Sequence, residues 1–117
     1  MISYFRVKGQ SMEPLCKEGD FVLLDTLSYL IFRPQSGDIV VLSHPQENRL
    51  ILKYVMREKV TEHRSFYWVE GLNKEGSSDS RSFGWVPREV ILGKALIIRR
   101  QPQKKFSTGG VLRLVGA

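Results

Sequence analysis

Three stretches hold residues whose types and spacing could do chemistry. They are "VKGQSMEPLCKEGDFVLLD" (7–25) with Ser11, "RLILKYVMRE" (49–58) with Lys53, and the serine-rich "GLNKEGSSDSRSFGWVP" (71–87). A serine hydroxyl is a weak nucleophile at its own pKa, so Ser11 can act only beside a base and near donors aimed at a developing oxyanion. Histidine is scarce. His44 sits beside Pro45 in a polar turn and His63 lies in "VTEHRS", and neither stands in an apolar run that would orient an imidazole. A Ser-His-Asp triad is therefore not expected. Two scattered histidines and the single Cys16 form no ligand spacing either, so neither a metal nor another cofactor is expected.

Lysine is the other available base. Side chains alternate along a strand, so in residues 49–58 Leu50, Leu52, Tyr54 and Met56 share one face, and Ile51, Lys53, Val55 and Arg57 the other. Lys53 then lies between Ile51 and Val55. Apolar surroundings disfavour the ammonium, and the neutral amine becomes able to take a proton near neutral pH. The alternative is a half-exposed strand whose lysine reaches out to water. The loop 71–87 offers serine hydroxyls to orient an amine, and Asp79 with Arg81, two residues apart, to brace it; taken alone, it reads equally as a solvated surface turn.

These residues must be positioned by strands. Short β-rich runs at 20–25, 38–43, 49–58, 65–71 and 89–100 are each bounded by turn residues, and no long helical period is present, so a mainly β fold is expected. Gly-Asp opens a Val-containing run twice, at 19–20 and 37–38. "TLSYLIFRP" (26–34) reads either as a helical turn or as an apolar loop, ended by Pro34.

Composition bounds the class. A chain of 117 residues, 42% hydrophobic and 26% charged, has the length of one domain and the mix of an ordinary globular protein. One cysteine excludes an intrachain disulfide and suits a reducing compartment. The net charge of +6 is unevenly placed: residues 1–98 hold 13 basic and 12 acidic residues, whereas Arg99, Arg100, Lys104, Lys105 and Arg113 follow with no acid. The reading is a nearly neutral domain over 1–98 and a basic tail over 99–117, solvated and mobile, docked as a strand, or bound to an anionic partner. No run approaches the ~18–20 apolar residues that span a bilayer, and "MISYFRVKGQ" has no signal-peptide pattern. A soluble, cytoplasmic protein without a transmembrane anchor is expected.

Taken in order, the three segments resemble the signal peptidase I family of Ser/Lys proteases over most of residues 7–98. The family's Ser-Met-x-Pro followed by a Gly-Asp strand is similar to "SMEPLCKEGDFVLLD", its next Gly-Asp strand to "SGDIVVL", its lysine-bearing strand to "LKYV", and its last signature to "GLNKEGSSDSRSFGWVP" followed by "ILGKA". The resemblance implies Ser11 as nucleophile, Lys53 as general base, Ser77 as the hydroxyl that orients the lysine, and Asp79 with Arg81 as the supporting pair. It also implies a compact signal-peptidase-like sheet or barrel that binds an extended precursor along a sheet edge.

The departures refine this. Leu72 replaces a usual Asp, the Leu-Pro-Gly-Asp after the lysine strand is absent, and there is no room for the inserted second subdomain of larger members. Gly9 stands where some members carry an oxyanion serine, which leaves backbone donors at Gly9 and Ser11, the Ser11 N–H above all. With no anchoring segment before Ser11, the chain resembles the soluble branch described as nickel-type superoxide dismutase maturation proteases. A precursor protein, nickel superoxide dismutase proprotein first among them, is the expected partner, and nucleic acid is not. Two rivals are weighed. A self-cleaving repressor would be expected to carry a helical DNA-binding domain upstream, for which residues 1–10 leave no space. A non-catalytic β module would bind an acidic or nucleic-acid partner through the basic tail.

Overall fold

Period-two alternation and turn chemistry build a mainly β protein. The computed structural model describes residues 3–73, 78–98 and 111–116. In chain order the elements are β1 (Ser3–Lys8), β2 (Phe21–Asp25), the single helical turn α1 (Ser28–Ile31), β3 (Ile39–Ser43), β4 (Leu50–Thr61), β5 (Arg64–Glu70), the turn α2 (Ser80–Phe83), β6 (Val86–Pro87), a 3₁₀ turn (Arg88–Val90), β7 (Ile91–Ile98) and β8 (Val111–Gly116). The ambiguous "TLSYLIFRP" thus supplies a helical turn. The Asp25 carboxylate accepts the Leu27 and Ser28 N–H groups ahead of it. Among the described residues no helix is long and apolar enough to cross a membrane.

The strands hydrogen-bond in the order β3-β7-β2-β1-β8-β4-β5-β6, and β3 also pairs with β4, so the first six close into a ring. Closure leaves β5 and β6 as a flap extending from β4, and removes the sheet edges that an open six-stranded sheet would expose. Of the basic tail, Val111–Gly116 lie parallel to β1, the docked arrangement that composition left open. Residues 99–110 fall outside the described residues.

Both Gly-Asp pairs are turns with the same mechanism. Gly19 and Gly37 have φ of +94° and +99°, which a side chain disfavours. The carboxylates of Asp20 and Asp38 then accept the N–H three residues back, from Lys17 and Gln35.

Two apolar clusters flank the β3–β4 pair. Phe5, Val7, Met12, Cys16, Val22, Leu24, Val41, Leu52 and Ala95 form one, and Tyr29, Val40, Leu42, Ile51, Val55, Tyr67, Val69, Val86 and Ile91 the other. Both strands are therefore covered on two sides, which is why "IVVL" and "LILKYV" are near-continuous apolar runs. Strict alternation fails in β4. The β4–β5 register shifts between Val55 and Arg57, so the extra residue Met56 moves Arg57 off the Lys53 face to oppose Trp68, and Glu58 takes the face shared with Tyr67.

Candidate active site

Ser11 sits in the turn that follows β1. That turn is held by the Glu13 N–H on the Gln10 carbonyl and the Cys16 N–H on the Met12 carbonyl, with Met12 and Cys16 buried in the first core. The Ser11 carbonyl accepts the Asn73 N–H at 2.6 Å, which ties the turn to the loop after β5. Lys53 comes from the first third of β4, opposite Val40 of β3, on the face of Ile51 and Val55. Its Nζ lies 2.9 Å from Ser11 Oγ. Ser11 is 2% and Lys53 1% exposed, so the pair meets away from bulk water. The lysine does not snorkel.

Burial pushes the Lys53 ammonium down to about 8 from its ordinary 10.5; the Asp79 carboxylate opposes this, and the Arg49 and Arg81 cations add to it. A lysine in this position holds a substantial neutral fraction near pH 8. When charged, Nζ donates to Ser11 Oγ; when neutral, its lone pair can accept the serine proton across the same distance.

Asp79 is completely buried and begins α2 as its N-cap. It accepts the Gly71 N–H at 2.9 Å and the Arg81 N–H at 3.0 Å, and forms a two-pronged ion pair with the Arg81 guanidinium. The short spacing Asp-x-Arg works because the first turn of α2 returns Arg81 over the cap that precedes it. Ser80 is buried too, its Oγ accepting the Val69 N–H from β5. Together these bonds clamp residues 79–81 onto the end of β5. Ser77 lies outside the described residues.

Gly9 has φ +96°, and its N–H donates to the Glu18 carboxylate at 2.9 Å. That donor is already engaged. The Ser11 N–H makes no backbone hydrogen bond among the described residues.

One residue stands differently from its sequence reading. His44 is neither solvated nor unoriented: it is 5% exposed, its ring packs edge-on to Phe83 at 5.1 Å, and its Nδ1 accepts the Gln46 and Glu47 N–H groups. Nε2 lies 2.8 Å from Ser78 Oγ. The polar run "SHPQENR" hid this, because the burial comes from α2, which is distant in sequence. His63, by contrast, is a turn residue at the tip of the β4–β5 hairpin, with φ +68°.

Comparison with known proteins places the chain in a class of proteases. The family described as signal peptidase, peptidase S26 matches residues 1–57 and 56–99. Mitochondrial inner membrane protease subunit 1 of Xenopus tropicalis is 31% identical over 115 residues, covering 84% of this chain and 68% of that protein. Mitochondrial ATP-independent inner membrane protease subunit 1a of Arabidopsis thaliana is 31% identical over 128 residues, covering 92% and 76%. Signal peptidase I of Aquifex aeolicus is 42% identical over 69 residues, or 59% of this chain and 24% of the longer protein. The chain belongs to the signal peptidase family, peptidase S26, and is a signal-peptidase-like serine protease that processes a precursor protein.

The relatives also correct one expectation. A cytoplasmic location is expected from the missing apolar span and the single cysteine; six of the relatives, from frog, plant, mouse, human and fission yeast, are inner-membrane proteases of mitochondria and not cytoplasmic proteins. Short apolar span length reports only whether a segment can cross a bilayer, not where a protein works.

Proposed function

We propose that the protein is an endopeptidase with a Ser11/Lys53 dyad that removes an N-terminal leader from a precursor. The observation that carries this reading is the buried 2.9 Å contact between Lys53 Nζ and Ser11 Oγ. Neutral Lys53 takes the Ser11 proton as Oγ attacks the scissile carbonyl, and Ser77 aligns the amine. The oxyanion of the tetrahedral intermediate is received by the Ser11 N–H, with Gly9 leaving the space beside it clear of a side chain. Lys53 then gives its proton to the leaving amine, an acyl-enzyme remains on Ser11, and water activated by the same amine hydrolyses it. Asp79 and Arg81 hold the lysine's surroundings in place.

Within this activity the precursor proposed is nickel superoxide dismutase proprotein, on the resemblance of the motifs to that branch. The intact mass of this precursor after incubation with wild type, Ser11→Ala and Lys53→Met tests both levels. One defined N-terminal cut by wild type alone supports dyad and substrate together. No cut of this precursor, with Ser11-dependent cleavage of another, removes the dismutase and keeps the dyad.

A second reading of the substrate is favoured by the inner-membrane relatives and by Leu27, Leu30, Ile31 and Phe32, all exposed around α1. On it, the precursor is met at a membrane surface. Co-sedimentation with vesicles that is lost in Ile31→Ser/Phe32→Ser would favour it.

A further inference from the structure

His44 is buried and satisfied on both ring nitrogens, yet the dyad chemistry does not use it. Its Nδ1 accepts two backbone N–H groups, from Gln46 at 3.0 Å and Glu47 at 3.1 Å, so that nitrogen carries no proton. The neutral ring must then bear its hydrogen on Nε2, which donates to Ser78 Oγ at 2.8 Å. Burial holds the imidazole below its ordinary range; Glu47 opposes this, while Arg49 and Lys53 add to it. Protonation would also require Nδ1 to give up both acceptor roles.

The two ends of this bond matter. On one side, His44 terminates β3 and closes the β3–β4 turn, its N–H bonded to the Arg49 carbonyl. On the other, Ser78 is joined covalently to Ser77 before it and to Asp79 after it, the residue whose carboxylate faces the Lys53 charge. The hydrogen bonds of Asp79 and Ser80 fix the far side of this segment to β5. The His44–Ser78 bond fixes it to the β3–β4 hairpin that carries Lys53.

We propose that His44 is a positioning residue of the site, its Nε2–H holding Ser78 and so locking the segment that begins with Ser78 and Asp79 against the Lys53 strand. The catalytic consequence rests on the dyad reading above, while the positioning of Lys53's surroundings does not. Releasing Ser78 loosens the cover over the amine and admits water, which eases the penalty on the charged form.

The test separates a turn cap from a positioning bond. His44→Asn keeps a side-chain acceptor for the two turn N–H groups, as asparagine does in such turns, but is too short to reach Ser78. Ser78→Ala removes the bond from the other side and leaves the turn untouched. The titration of the Lys53 Cε resonance is followed by NMR in wild type, both single variants and the double, together with Tm and with kcat and KM on a cleaved precursor. Expected are Tm values close to wild type, a Lys53 midpoint raised by about half a unit or more in each variant, and a loss of kcat on the order of tenfold with KM little changed. The double variant should be no worse than either single one. A Lys53 midpoint unmoved in folded Ser78→Ala overturns the proposal, whatever His44→Asn does; so do additive effects in the double variant. If the midpoint moves as expected but no wild-type cleavage depends on Ser11, the positioning stands and the dyad reading fails.

Discussion

Lys53 Nζ and Ser11 Oγ, 42 residues apart in the chain, meet at 2.9 Å in a place where both side chains are almost wholly buried. Burial lowers the pKa of such an ammonium, and on the proposed dyad the hydroxyl held against it has its proton acceptor in place before any substrate arrives. Activity and stability should therefore report the same titration from opposite sides.

On the proposed Ser11/Lys53 dyad, the active form has Lys53 neutral. With the amine at about 8, kcat/KM should rise tenfold per pH unit below that value and level off above it. Initial rates on a cleaved precursor between pH 6 and 10 give the profile; Lys53→Met and Ser11→Ala should each lower kcat by about 10³-fold or more at the plateau. A rising limb centred near 6.5 would point to an imidazole instead.

For stability, the sign runs the other way from a salt-bridged lysine. Below pH 8 both folded and unfolded chains carry the proton, and the folded state bears the full burial penalty, about 3 kcal/mol for a shift from 10.5 to about 8. Between about 8 and 10.5 the unfolded chain binds more protons, so this contribution stabilises the fold as pH rises and the penalty has gone above that window. Lys53→Met should thus be more stable than wild type at pH 7, by about 1–3 kcal/mol, with the difference shrinking by pH 10. Paired urea unfolding curves at pH 7, 9 and 10 measure it, and the difference between the two proteins cancels the tyrosine titrations common to both.

Gly37 has φ +99° and nothing within 4 Å of where a Cβ would stand. Gly37→Ala should lose about 1–2 kcal/mol through backbone conformation alone, read from the urea midpoint. A loss below about 0.5 kcal/mol would mean that the turn relaxes to another conformation.

At the tip of the β4–β5 hairpin, Glu62 and His63 both have positive φ, 48° and 68°. Asn-Gly suits that two-residue turn far better. Glu62→Asn/His63→Gly should raise stability by roughly 0.5–1 kcal/mol, seen as a higher Tm, and leave precursor cleavage unchanged.

The mainly β class, the turns at both Gly-Asp pairs and the Lys53 face of β4 were legible before any coordinates. Each follows from interactions within a few residues: alternation along a strand, a glycine free to take positive φ, an aspartate returning to an N–H three residues back. The Asp79–Arg81 pair was legible for the same reason, since one helical turn brings its members together.

What lay beyond reach was whatever depends on two distant segments. The sequence alone left open whether Lys53 would bend to water, because nothing in "RLILKYVMRE" says what covers its second face; the ring closure of β3 on β4 and the overlying β5, β6 and α2 decided that. Alternation misplaced Arg57, since a one-residue bulge at Met56 is a matter of fit between strands. The burial of His44 came from Phe83 and Ser78, more than 30 residues away. From its own residues the chain determined which groups could react and which strands would carry them; only the closed sheet decided which of those groups are dry enough, and near enough, to act on one another.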